Sequence, residues 1–174
     1  KSPWLHPFSF SSSNTPFHLS NGEVVEGVEM MHLEETLPVM DIEGVGVGFE
    51  LPFESYDEPA SFSEVGMFVF MPNDVSKMAE LEKIVFEGNF FASMVSKMND
   101  TDVDLAFPKF KIQKSYDLLE KVFKDSMPSI IDESKANFTG IANDEKLTVS
   151  GIFHQTFLNV DEAGAEAGAE IGKA

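Results

Sequence analysis

Three stretches of the chain carry residue types that do chemistry in other proteins, and none completes its pattern. Gly44-Val45-Gly46-Val47-Gly48 has the glycines of a dinucleotide-binding turn, which brings backbone N–H groups against a pyrophosphate at a helix start. Here the third glycine comes too early and no helical pattern follows, so the stretch reads as a glycine-dotted strand. Asp100-Thr101-Asp102-Val103-Asp104 opens like a calcium loop. Leu105 then stands where the turn needs glycine, Ala106 follows it, and Lys111 occupies the place of the bidentate glutamate. The histidines at 6, 18, 32 and 154 include no pair one helical turn apart to share a metal, and no serine sits in a G-x-S-x-G elbow. No metal, cofactor or catalytic residue is expected, and the chain does not read as an enzyme.

The elements that would position these residues are mostly strands. The first twenty residues read as an extended, turning segment anchored by Trp4, Phe8, Phe10 and Phe17. Strands are expected at 23–31 and at 45–53, where Val45, Val47, Phe49, Leu51 and Phe53 alternate. A polar turn around Tyr56–Ser63 leads to the unbroken apolar run Met67–Met71, as in a strand covered on both faces. Asp74 can cap a helix carrying Val75, Met78, Leu81 and Val85, and Phe90, Phe91, Met94, Val95 and Met98 form a second stripe. Both stripes read as core. Along Val103–Ile112 the alternation changes parity at Pro108, so that strand must kink or change sheets. Ser115 can cap a third helix with Leu118, Leu119, Val122 and Phe123 on its buried side, and a last strand over 147–160 belongs inside a sheet. The fold class is α+β, mostly antiparallel sheet with three or four helices.

Charge removes several classes of partner. The 174 residues hold 30 acidic and 12 basic side chains, a formal −18, and every basic residue is lysine. Phosphate backbones, anionic lipids and heparin-like polysaccharides would be repelled, and the arginine fork that grips such groups is absent. Without cysteine there is neither a disulfide nor a thiolate metal site. No apolar run approaches the roughly 18 residues that a membrane span requires.

The end of the chain has two readings. By composition, 162–174 is a flexible low-complexity tail. By alternation it is a strand, with Ala165, Ala167, Ala169 and Ile171 on one side and Glu166, Gly168, Glu170 and Gly172 on the other. A segment that is sometimes solvated and sometimes an interior strand needs such a clean dry side, because a charge there would be desolvated without a partner.

Phe153-His154-Gln155 through Val160-Asp161-Glu162-Ala163-Gly164-Ala165-Glu166-Ala167 resembles the final strand and hinge of the serpin family. The resemblance runs back through Phe107–Ile112 with Ser115-Tyr116-Asp117-Leu118, Glu50-Leu51-Pro52-Phe53 and Met30-Met31 to Lys1-Ser2-Pro3-Trp4 with Phe8. It covers the whole chain in order and implies a partial serpin domain over 1–174, about the C-terminal half. The N-terminal half would precede Lys1, and the scissile bond and last strands would follow Ala174. It further implies suicide inhibition of serine or cysteine proteases by insertion of the cleaved loop, in a complete protein that is a monomer, with the piece alone inactive. The alternative is a non-inhibitory serpin acting as carrier, chaperone or storage protein. Extracellular space is the implied compartment, with cytoplasm the alternative.

By the same resemblance, residues 162–174 are the hinge and start of the reactive loop, with Glu162, Ala163, Gly164, Ala165, Glu166, Ala167, Gly168 and Ala169 as the hinge proper. Gly164 lets it bend. Lys109 pairs with Glu162 at the top of the sheet, with Trp4 beneath the point where insertion starts. His154 matches the shutter histidine; read without the family, it is a core histidine, and on either reading its ring should find a hydrogen-bond partner, the usual ones lying in the half that would precede Lys1. Asn99-Asp100-Thr101 and Asn137-Phe138-Thr139 are glycosylation sequons. The chain departs from the family pattern at Ala165 in place of threonine, at Gly168 and Glu170 within an alanine run, and at Ser2 in place of glycine.

Overall fold

The longest element is a strand of 19 residues, β3 (Val24–Ile42), and three others are built on it. The computed structural model describes residues 2–19, 21–54, 65–142 and 146–173, so the turn expected around Tyr56–Ser63 and the side chains of Phe10 and Ile171 lie outside the described residues. The described residues divide into two compact units. The first holds residues 1–110 with 160–165, the second 111–159 with 166–174.

In the first unit β1 is Ser2–Pro3 and β2 is Ser9–His18. The strands β4 (Gly46–Pro52) and β5 (Gly66–Pro72) follow β3, and β6 (Asn99–Pro108) comes after two helices. β2 pairs antiparallel with the first half of β3, β4 with its end, and β6 with Met30–Val39 along its middle. β5 pairs with β4 at the outside of that sheet. Its residues are therefore half-buried, with Met71 exposed, and the expectation of cover on both faces is corrected.

Asp74 accepts a hydrogen bond from the Ser76 N–H at 2.8 Å, and a short 3-10 turn leads into α1 (Met78–Phe86). Ile42, Val45, Leu81 and Val85 form a buried cluster on which Met40, Phe70, Ile84 and Phe90 pack. Each such side chain contributes about 1.5–3 kcal/mol when fully buried. In α2 (Phe90–Met94), Met94 is wholly buried whereas Phe91 and, after it, Val95 are exposed. Val75 and Met78 before and within α1 are exposed as well. The two stripes are core only on their inner halves.

At Pro108 the chain leaves β6, and β7 (Phe110–Asp117) belongs to the other sheet. Proline cannot donate to the ladder, and the parity change turns the side chains over. Ser115 lies within β7 and caps nothing. Asp117 takes that place, its carboxylate accepting the Leu119 N–H at 3.0 Å where a π-helical turn (Leu119–Phe123) runs into α3 (Lys124–Ser126). Leu119 is buried and Val122 exposed. β8 (Ile152–Asp161) begins five residues later than expected, and in strand order lies between β7 and β9 (Gly164–Lys173). The result is an α+β fold, mostly antiparallel sheet with three short α-helices among the described residues.

Candidate functional site

The two residues between β8 and β9, Glu162 and Ala163, form a tight turn closed by the preceding side chain. The Asp161 carboxylate accepts the N–H groups of Ala163 (3.0 Å) and Gly164 (3.1 Å). This is the local preference of aspartate for its own backbone two residues on. The start of the chain seats the turn. Trp4 N–H donates to the Ala163 carbonyl (3.1 Å), Phe8 N–H to that of Glu162 (3.0 Å), and the Trp4 indole Nε1–H to that of Asp161 (2.8 Å). Trp4 is almost fully buried, stacked on Phe53 at 4.8 Å with Phe8 edge-on at 6.0 Å.

Lys109 sits just after β6, its N–H donating to the Glu29 carbonyl (2.9 Å), and its Nζ lies 3.0 Å from Glu162 Oε2 and 3.3 Å from Oε1. The Glu162 carboxyl is held below the ordinary carboxylate range, first by its own backbone N–H and then by Lys109. The Lys109 ammonium is correspondingly raised, chiefly by its hydrogen bond to Glu162.

Gly164 does not bend the chain through a left-handed backbone, since its φ is not among the positive ones. What requires glycine is close approach. β1 pairs Pro3 with Gly164 and Ser2 with Ala165, and a Cβ at 164 would lie 2.3 Å from the Ser2 carbonyl oxygen. In this structure, then, the requirement for glycine at 164 is steric. Ala165 is buried beside it, whereas Ala167 and Ala169 are exposed and Glu166 and Gly168 half-buried. The dry side inferred from alternation is thus closed at one residue among those described.

In the second unit the Phe157 ring lies where a Cβ on Gly168 would be, 2.4 Å from Cε1. An aromatic ring over a bare glycine restores packing that glycine lacks in a strand. The two also line a shallow cavity of about 300 Å³ with Gln113, Gln155, Ala169 and Glu170. His154 stacks on Tyr116 at 6.5 Å, and its buried Nδ1 has no hydrogen-bond partner among the described residues. Asn99 is exposed at the start of β6, opposite Val39. Asn137 is exposed in a loop, where its Oδ1 accepts from the Thr139 hydroxyl at 2.8 Å. Among the described residues no group of three or more His, Asp or Glu could hold a metal, and no helix is long and apolar enough to cross a membrane.

Reading the sequence through the family likeness set Trp4, Lys109 and Glu162 together and gave Gly164 and Ala165 only as hinge; in the structure Lys109 meets Glu162, and the Trp4 N–H donates to the Ala163 carbonyl beside it. That reading missed Ser2, Phe53, Asp161 and Phe157. Asp161 alone carried a local signal, an aspartate two and three residues before the N–H groups it caps.

The profile of the Serpin (serine protease inhibitor) family matches residues 1–173. A Serpin B10 from Rhinolophus ferrumequinum is 34% identical over 175 residues, covering 99% of this chain and 42% of the relative. Among solved structures, lamprey angiotensinogen with a cleaved reaction loop matches with a TM-score of 0.80 and 26% identity, over 98% of this chain and 49% of that one. A loop-inserted cleaved ovalbumin mutant matches with a TM-score of 0.79 and 25% identity, over 99% and 44%. The chain belongs to the serpin family, whose members are mostly protease inhibitors rather than catalytic enzymes. It spans about 42% of the length of the curated relatives it matches.

Proposed function

We propose that this chain is the C-terminal part of a serpin domain whose complete form inhibits serine proteases by inserting its cleaved loop, and that the chain by itself inhibits nothing. The observation that carries this reading is the seat of the Glu162–Ala163 turn, from which the following segment continues as β9 next to β8. Strand form there fits a segment that ends its working life inside a sheet. In this reading Glu162 to Ala169 are the hinge, and Trp4 and Lys109 hold its start. His154 belongs to the region that controls sheet opening, its buried Nδ1 awaiting a donor or acceptor from the rest of the parent.

The target is a serine protease, in keeping with the family's description, and the complete form is a monomer. For compartment we take the cytoplasm, the second of the two readings of the sequence, in keeping with the likeness to Serpin B10 proteins. Asn99 and Asn137 then stay unmodified, and glycosidase treatment of the native parent leaves its mobility unchanged.

The test uses the complete parent. After proteolysis in the loop, insertion raises the unfolding temperature steeply, and a target protease forms a covalent complex that survives denaturation. A cleaved parent that melts where the intact one does, and forms no such complex, would refute inhibition and favour the non-inhibitory reading. The 174-residue chain mixed with the same protease leaves its activity untouched.

A further inference from the structure

Residues 162–173 are three tandem tetrads: Glu162-Ala163-Gly164-Ala165, Glu166-Ala167-Gly168-Ala169 and Glu170-Ile171-Gly172-Lys173. Each contact that fixes the observed register falls on a place that the next tetrad repeats. Glutamate faces Lys109, the glycine two residues on lies against the Ser2 carbonyl, the next alanine is buried, and the following glycine lies under Phe157. Side chains alternate with period two, so displacement by four residues returns every one to its own face. Glycine-rich strands specify their register weakly to begin with.

We propose that β9 has two registers. In the second, displaced by one tetrad, Glu166 faces Lys109, Gly168 lies against Ser2, Ala169 takes the buried place of Ala165 and Gly172 lies under Phe157. Residues 162–165 then pass into a longer turn after Asp161, and the strand has advanced by roughly 13 Å at about 3.3 Å per residue. What the displaced register loses is the Asp161 cap on the tight turn, which is why the observed one is preferred. A third register is blocked, because it would bring Lys173 into the buried place of Ala165 and strip an ammonium of water without a partner. The device moves strand in a fixed step, and it stands whether or not the parent inhibits a protease.

Zero-length carbodiimide coupling of the 174-residue chain, followed by peptide mapping, reads the register directly, since it joins Lys109 to whichever carboxylate touches it. The wild-type chain yields Lys109 joined mainly to Glu162. Asp161→Ala, which removes the cap, raises the Lys109–Glu166 product at least several-fold. Glu162→Gln moves the coupling to Glu166 rather than abolishing it. Adding Gly168→Ala to Asp161→Ala removes the Glu166 product, because only in the displaced register does the new methyl meet the Ser2 carbonyl, and leaves the Glu162 product, whose survival also reports that the chain is folded. Absence of a Lys109–Glu166 product from both Asp161→Ala and Glu162→Gln, or its persistence with Gly168→Ala, overturns the proposal.

Discussion

The first four residues after Asp161 and the four that follow are the same tetrad, yet the structure treats them differently. In Glu162–Ala165 the glutamate is ion-paired, the glycine is pressed against Ser2 and the last alanine is buried. In Glu166–Ala169 both alanines are exposed and the glycine meets a single phenylalanine ring. Alternation therefore says which side of a strand can be dry. What lies across from it decides which residues are, and for Glu162–Ala165 that neighbour comes from Ser2 to Phe8.

The comparison breaks most visibly where the aromatic neighbours are removed. Trp4→Ala deletes a buried indole, its stack on Phe53 and its hydrogen bond to Asp161, and should cost about 3–5 kcal/mol. Thermal unfolding would then fall by roughly 6–20 °C in a chain of this size. Phe157→Ala, on a ring that is over a third exposed, should cost nearer about 1 kcal/mol. Equal losses would mean that the two tetrads are held alike.

The glycines sharpen it further. Gly164→Ala drives a methyl into main chain on the far side, with the Ser2 carbonyl at 2.3 Å and the Pro3 Cα at 2.9 Å, so backbone must move and about 1–3 kcal/mol is lost. Gly168→Ala meets only the Phe157 ring, which can turn away, so its cost in denaturant unfolding should stay below about 1 kcal/mol. Arginine placed at the neighbouring alanines reads burial directly. Ala165→Arg puts a charge into a closed site and should destabilise by about 1–3 kcal/mol or more, whereas Ala167→Arg should lie within about 0.5 kcal/mol of wild type. In the complete parent, Ala165→Arg should turn an inhibitor into a substrate, seen as loss of the denaturation-resistant protease complex.

How much of this was legible depends on how local the cause is. The change of sheet at Pro108 could be read because proline and a parity slip are both visible within ten residues. Asp74 could be read as a cap for the same reason. Ser115 could not be corrected to Asp117, because the extension of β7 through Asp117 is decided by its neighbour in the sheet and not by capping preference. The half-burial of β5 was hidden likewise, since a run such as Met67–Met71 does not say whether it ends a sheet or sits within one. In the candidate site, the Lys109–Glu162 pair was reachable only through family likeness, and the need for glycine at 164 was credited to bending because its steric cause, Ser2, lies at the other end of the chain.

The smallest effect concerns acid and separates two carboxylates. Glu162 has its carboxyl held low in the folded chain, so its contribution is fully present above the unfolded carboxylate value of about 4.3 and is lost as pH falls through the lower folded value. Glu50, half-buried on β4, has its carboxyl raised by burial, so it works in the opposite sense and favours the folded state increasingly as pH falls. Denaturant unfolding followed from pH 7 to pH 3 should show Glu162→Gln losing less stability on acidification than wild type, and Glu50→Gln losing more. Lys109→Met should match Glu162→Gln in direction but fall short of it, because the Glu162 carboxyl keeps the hydrogen bond from its own backbone N–H. At the alkaline end the raised ammonium of Lys109 contributes until pH passes its folded value, above the ordinary lysine range, and both Lys109→Met and Glu162→Gln should flatten that limb. Were Glu162→Gln to follow the wild-type profile at both ends, the ion pair would have to be dismissed as a device that holds the first tetrad in place, leaving the Ser2 and Trp4 contacts to do so alone.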